Sequence, residues 1–249
     1  MTRAPYYQDD LAWVHHTGYA GYVANAQRGI LERLKAHGLK PGETVLDVGC
    51  GSGLLARALL AEGYAVRGTD ASPAMIDLAR AHAPGGRFDA IGLPTRRSPG
   101  EPGGLPIAAA IVSTGHVLNY LDSREDVGLA LAELADALRP GGLLVIDLMT
   151  ERFCEARDLR HPHAKVEDDW TIVTRFTRPE PHRFDRDITV FRRIDGAWRR
   201  SDEHHSNVTF EVDAALEILR AHGLNARCRA AFGEEVLPEG LVVLAGIKS

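Results

Sequence analysis

Cysteine is scarce in this 249-residue chain: Cys50, Cys154 and Cys228 stand far apart and are odd in number. They form neither a C-x-x-C pair nor a disulfide framework, the usage expected in a reducing cytoplasm. No apolar run approaches the roughly 18 residues needed to cross a bilayer, and the opening Met-Thr-Arg-Ala-Pro-Tyr-Tyr lacks the apolar segment of a signal peptide. A soluble cytoplasmic protein is the expectation. Charge of one sign is also missing as a block, since residues 1–150 carry 13 basic and 16 acidic groups and residues 151–249 carry 16 and 18. With a net charge of −5 and no basic patch, partnership with nucleic acid or an anionic membrane is disfavoured. His161-x-His163 and His204-His205 stand without H-E-x-x-H or paired-cysteine spacing, so no metal site is expected.

What is present is ordinary for a globular chain, 45% hydrophobic and 25% charged, and the length supports one large domain or one with an insertion. Short apolar runs alternate with helical periodicity. Thr44–Val48 reads as a buried strand, Leu54–Glu62 as a helix, and Tyr64–Thr69 as a second strand. Ser72-Pro73 supplies an N-cap and a proline at the first helical position, opening a helix through Ala81. Ile107–Val112 and Leu143–Leu148 read as further strands around a helix capped by Ser123 and ended by Pro140-Gly141-Gly142. This rhythm implies right-handed βαβ units and a parallel sheet. Gly92–Pro106, with four prolines and four glycines, reads as an irregular loop. Trp170–Thr177, Phe184–Ile194 and Trp198–Phe210 read as antiparallel strands, with Asp195-Gly196 as a turn. Eight arginines from Arg175 to Arg200 are interleaved with acids, the pattern of a solvated face. Val212–His222 reads as a helix, and Ala226–Phe232 and Leu241–Ile247 as closing strands.

The stretch that carries chemistry is Val45-Leu-Asp-Val-Gly-Cys-Gly-Ser-Gly53, between a strand and a helix. Glycines at 49, 51 and 53 allow a tight turn and let backbone amides approach a ligand. A dinucleotide fingerprint would need glycine at position 54, which is Leu54. Asp47 would repel phosphates but suits a cationic ligand, so the loop favours a positively charged adenosyl compound. Asp70, at the end of the second strand, offers a carboxylate that can accept both ribose hydroxyls.

With these residues the chain resembles the class I S-adenosylmethionine (SAM)-dependent methyltransferases. The resemblance is carried by Leu46–Gly53, by Gly68-Thr-Asp-Ala-Ser-Pro-Ala-Met-Ile76, and by Leu138-Arg-Pro-Gly-Gly142 before the next strand, and it spans roughly residues 40–249. It implies a Rossmann-like seven-stranded sheet whose last strand, Leu241–Ile247, is antiparallel, with SAM as cofactor and S-adenosylhomocysteine as product. It also implies four segments: an N-terminal helical lid (1–39), the SAM-binding core (40–150), an antiparallel β insertion capping the substrate (151–210), and the completion of the sheet (211–249). By carry-over, Asp47, Gly49, Cys50, Gly51, Ser52 and Gly53 hold the methionine part, Asp70 the ribose, and Ala71 and Met75 the adenine. Where many members place an adenine-binding aspartate, this chain has Asp89-Ala-Ile-Gly-Leu-Pro94. Backbone near Gly92 and Leu93 is then the expected contact, or that contact is missing.

A second resemblance, from Val112-Ser-Thr-Gly-His-Val-Leu-Asn-Tyr-Leu121 and the late ribbon, is to the small-molecule branch that includes sugar N,N-dimethyltransferases. Asp10–His16 is likewise similar to the opening of uncharacterised bacterial methyltransferases. In open α/β sheets chemistry sits at the carboxyl ends of the strands, which places Ser113–Tyr120 beside the reactive methyl. His116 is the candidate base, with pocket-lining as the alternative, and Ser113 and Gly115 are expected near the methionine end. Substrate contacts are expected from Tyr7 and His16 of the lid, from His116, Asn119 and Tyr120, and from Trp170, Arg175 and His204 of the ribbon. The implied activity is methyl transfer to an N or O atom of a small-molecule metabolite, by a monomer or homodimer. A SAM-binding enzyme recruited to a non-methylating reaction, or a non-catalytic SAM-binding module, remains the alternative.

Overall fold

A computed structural model describes residues 6–249; residues 1–5, the first part of the expected lid, lie outside the described residues. Strand β1 (Thr44–Val48) leads through the glycine turn into α3 (Leu54–Ala61), after two N-terminal helices, α1 (Asp9–Gly18) and α2 (Ala20–His37). There follow β2 (Ala65–Asp70), α4 (Pro73–His82), β3 (Arg87–Ala90), β4 (Ala108–Ser113), a 3₁₀ turn (Val117–Tyr120), α5 (Arg124–Asp136) and β5 (Leu138–Met149). Local chemistry accounts for the helix starts. The Ser72 hydroxyl accepts from the Met75 amide at 3.2 Å with Pro73 in the first turn, and Ser123 accepts from Asp126 at 3.0 Å.

After α6 (Glu151–Glu155) come β6 (His163–Val166), β7 (Trp170–Thr177), β8 (Arg183–Ile194) and β9 (Ala197–Val208), then α7 (Val212–Ala221), β10 (Leu224–Arg229) and β11 (Leu241–Lys248). The main sheet has the order β10-β11-β5-β4-β1-β2-β3, with β11 antiparallel to both its neighbours. Alternation along β1 sends Val45 to a core under α2, α3 and α4, and Leu46 and Val48 to a core under α5 and α7. This is the expected seven-stranded methyltransferase sheet with an antiparallel last strand.

The second sheet is the antiparallel ribbon β6-β7-β8-β9. Its β8–β9 turn has positive φ at both Asp195 (50°) and Gly196 (82°), as a two-residue type I′ hairpin requires. The ribbon does not float. Leu11 and Val14 of α1 pack with Trp170, Ile172, Ile188 and Val190, and buried Asp10 is gripped by Arg192 and Arg199.

Three features depart from the expected elements. Helix α5 ends at Asp136, and Leu138–Gly142, expected to end the helix, already lies in β5, where the Ala108 amide bonds the Ala137 carbonyl at 2.9 Å. Proline at 140 has no N–H for helix continuation, so the chain enters the strand early. Strand β6 and helix α6 lacked enough apolar periodicity to be read, since β6 is exposed along its whole length.

Candidate active site

Glycine geometry shapes the first half of the site. Gly49 and Gly51 adopt φ of 63° and 52°, and a Cβ on Gly49 would meet Val117 at 2.2 Å. The loop therefore presses against the 3₁₀ turn, and a cavity of about 510 Å³ opens over the carboxyl ends of the strands. Among its walls are Gly49, Gly51, Asp70, Ala71, Met75 and Leu93. Gly92, Gly115, Tyr7 and Tyr120 also line it. The volume is in the range of small-ligand sites. Each Asp70 oxygen accepts one amide, from Gly51 at 3.0 Å and from Ser72 at 2.8 Å, leaving further lone pairs free for a ligand.

The other cofactor candidates sit behind this wall. The Cys50 side chain belongs to the apolar core beside Phe88, and burial pushes its thiol up. Gly53 starts α3 with φ 79° where a Cβ would meet Ala79 of α4 at 3.0 Å, so its freedom serves helix packing. Ser52 is buried 2.8 Å from the Nδ1 of His16. Ser113 donates to the Val48 carbonyl at 2.8 Å, tying β4 to β1, so Thr114 and Gly115 line the cavity in its stead.

Two buried carboxyls, Asp47 and Asp147, and the half-buried Asp70 surround the loop. Asp47 is pushed up to about 8, by burial first and then by the charge of Asp70; its Oδ2 has no hydrogen-bond partner among the described residues. Asp70 is also raised by burial. Asp147, on β5, was not singled out from the sequence. It accepts from the Tyr22 hydroxyl at 2.6 Å and from the amides of Gly115 and His116 at 2.8 Å each. Burial lifts it to about 6 against the pull of those donors. It thus ties the lid helix to the loop after β4, where His116 holds a left-handed φ of 48°. The available signal was one acid inside an otherwise apolar strand.

On the acceptor side the structure redistributes the expected residues. The Tyr7 and Tyr120 hydroxyls are 2.6 Å apart at the cavity wall, and Arg186 donates to Tyr120. Burial raises Tyr7 and keeps its hydroxyl protonated. His116 stacks on Tyr120 with ring centres 5.5 Å apart, and burial, reinforced by Arg186, lowers it to about 3. An imidazole so disfavoured as a cation is a weak base and serves better as a neutral hydrogen-bonding wall.

Five acceptor expectations need correction. Asn119 spends both amide hydrogens on backbone, donating to Met149 and Val208 and accepting from Met149 at 2.8 Å, so it staples β5 to β9, is fully buried and lines neither cavity. His16 stacks on His82 and faces Ser52; the neighbouring His15 lines the cavity and is lowered to about 4 by burial. Trp170 fills the junction between lid and ribbon against Gly18. Arg175 is exposed, and His204 points outward to Asp185 and Asp187. Their inward counterparts are Arg186 and the buried His205, whose ring lies against Tyr6 and Tyr7. Strand parity separates them, since residues one apart face opposite ways.

Beyond Tyr120 lies a second, smaller cavity of about 150 Å³, among whose walls are His116, Phe153, Arg157, Phe184, Arg186 and Asn207.

Comparison with known proteins agrees with this geometry. Residues 19–225 match the family described as "Methyltransferase domain". A putative methyltransferase of Geobacillus sp. (strain WCH70) is 28% identical over 203 residues, covering 79% of this chain and 80% of that one. The malonyl-[acyl-carrier protein] O-methyltransferase of Serratia marcescens is 32% identical over 51% of this chain, which spans only 47% of that relative. Among solved structures, a SAM-dependent methyltransferase from Clostridium acetobutylicum superposes with a TM-score of 0.78 at 15% identity, covering 96% and 97% of the two chains. A SAM-bound amino pentose methyltransferase from Micromonospora echinaspora involved in calicheamicin biosynthesis gives 0.71 at 21% identity, covering both chains in full.

Proposed function

The chain belongs to the methyltransferase domain family, and we propose that it transfers a methyl group from SAM to an N or O atom of a small-molecule metabolite held between lid, core and ribbon. The observation that carries this reading is the roughly 510 Å³ cavity with the Asp70 carboxylate on one wall and the Tyr7–Tyr120 hydroxyl pair on another. The O-methyltransferase relative and the amino pentose methyltransferase neighbour are the reason both acceptor atoms stay in the proposal.

The residues present fit SAM. Gly49 and Gly51 form a cradle that a Cβ at 49 would fill, Asp70 keeps lone pairs for ribose hydroxyls, and Ala71, Met75, Gly92 and Leu93 make an apolar slot for the adenine. The unpartnered, burial-raised Asp47 gains its charge when a cation arrives nearby. When bound, SAM supplies an electrophilic methyl on a sulfonium, so in-line attack needs no covalent assistance from the protein. The chain aligns the acceptor and excludes water, which accounts for several kcal/mol of barrier lowering in well-oriented sites. With Tyr120 donating to Tyr7, the single O–H of protonated Tyr7 is free to orient the acceptor. Neutral His15 and His116 offer imidazole nitrogens to an acceptor N–H or O–H. Tyr7 and, on α1, His15 border this volume, and α1 is in turn held to the ribbon through Asp10, Arg192 and Arg199.

Incubating the protein with methyl-labelled SAM and a metabolite extract, with mass spectrometry of the products, tests the proposal. Labelled methyl on an amine or hydroxyl metabolite, with stoichiometric S-adenosylhomocysteine, is expected. Absence of SAM binding by calorimetry would sink it.

A further inference from the structure

We propose that the smaller cavity is an anion seat for the acceptor, so that the methylated metabolite carries a carboxylate or phosphate on a six-membered ring or similarly compact frame. The inference rests on the methyl-transfer reading above and names its substrate class.

Two guanidiniums, Arg157 and Arg186, line one cavity of about 150 Å³ that has no acid among its walls. Neither forms an ion pair among the described residues: Arg186 donates to the Tyr120 hydroxyl, and Arg157 lies 4.1 Å over the Phe153 ring. The Nε of Arg186 is buried without a partner, as is the Nδ1 of His116, while the unpartnered Oδ1 of Asn207 in the same wall is an acceptor that a donor on the bound frame can satisfy. Arg157 is held below the usual guanidinium range by burial and then by the charge of Arg186. Uncompensated cations and unpaired donors are costly in a folded interior. A bound anion removes that cost, and a planar guanidinium suits carboxylate or phosphate oxygens.

The rest of the wall specifies the frame. Phe153 and Phe184 meet edge to face at 5.9 Å, and Phe176 stacks on Phe184 at 5.2 Å. An apolar cavity of about 150 Å³ admits benzene, so one ring with one anionic group is the size limit. The seat adjoins the cofactor cavity: Tyr120 lines the larger space while contacting His116 and Arg186, which line the smaller. An anion fixed there presents the remainder of the metabolite past Tyr120.

Titration calorimetry with benzoate, phenyl phosphate and uncharged benzamide tests the seat, on wild type and on Arg157→Met and Arg186→Met. The protein is saturated with S-adenosylhomocysteine, whose own binding is titrated first. We expect at least one anionic probe to bind about tenfold or more tightly than benzamide, and either Arg variant to remove that preference. Benzoate ahead of phenyl phosphate assigns a carboxylate, and the reverse order a phosphate. Benzamide binding equally well, no probe binding, or an anion preference untouched in Arg157→Met would overturn the seat. Arg157 is half-buried and its side chain makes no hydrogen bond among the described residues, so its variant keeps the test available if Arg186→Met fails to fold. Failure to bind S-adenosylhomocysteine counts against methyl transfer instead, and the same probes then judge the seat on the unliganded protein.

Discussion

Replacing Asp147 by asparagine probes the junction on which lid, loop and His116 all depend. The carboxylate collects three donors, with Tyr22 and Gly115 on Oδ2 and His116 on Oδ1. An asparagine of the same shape can accept through one atom only. With its oxygen toward Tyr22 and Gly115, its NH₂ confronts the buried His116 amide, a mismatch costing about 1–3 kcal/mol. Against this, the variant removes a carboxylate that burial has lifted from 3.8 to about 6. The folded protein binds that proton more tightly than the unfolded chain, so in wild type this group's contribution to stability falls as pH rises from about 4 to about 6 and stays level above. Two units correspond to about 3 kcal/mol. Denaturant melts of both proteins at pH 4 and pH 7 should therefore show the variant gaining about 2 kcal/mol relative to wild type across that interval, the rest lying below pH 4. At pH 4, where wild type is protonated, it should be equal or less stable. Methyl transfer should fall at least about tenfold at every pH, because the Gly115–His116 turn is no longer fixed. A stability difference that does not change with pH, or unchanged kcat/KM, would refute this account of the junction.

Other consequences follow from the cofactor half. Asp70→Ala removes the acceptor for the Gly51 and Ser72 amides as well as the proposed ribose contact, and should weaken SAM binding by at least about tenfold in calorimetry. Gly49→Ala, which drives a methyl into Val117 at a positive φ, should lose about 1–3 kcal/mol of stability, and adding Val117→Ala should recover the steric part in thermal melts. Asp47, raised to about 8, carries a proton in the free protein at pH 7. Binding a cation should release it, so SAM affinity should rise with pH toward 8. Calorimetry in buffers of different ionisation enthalpy should detect the proton, and Asp47→Asn should abolish the signal.

The cofactor half was readable in the sequence because it is local. Gly49–Gly53, Asp70, Ala71 and Met75 lie on consecutive strand–loop–helix elements whose order dictates their meeting, whereas the antiparallel closing strand, present in the sheet, was implied by the family resemblance. Even there, residue type did not say which side chains face the ligand: Cys50 turned into the core and Ser113 onto β1. The acceptor half was legible only by composition. Histidines, tyrosines and arginines crowd the lid and the ribbon, but His15 rather than His16, and Arg186 rather than Arg175, reach the interior. His15 and His16 are neighbours on helix α1 and point to different sides of it, while Arg186 pairs with Phe176, one residue beyond Arg175 on β7, so helix orientation and strand register, which composition does not specify, decide which side chain turns inward.

By itself, then, the order of residues determined alternating strands and helices with a glycine turn and an acid ending the second strand, because short-range turns and alternating hydrophobicity encode them, and the motifs they carry implied the seven-stranded sheet. Tertiary structure alone decided which lid and ribbon side chains reach the two cavities. Asp147 meets Tyr22 across 125 positions, and Tyr120 meets Tyr7 across 113 and Arg186 across 66. Such contacts arise only when lid, sheet and ribbon bury their apolar faces against one another, and that burial is also what unbalances the charges of the second cavity.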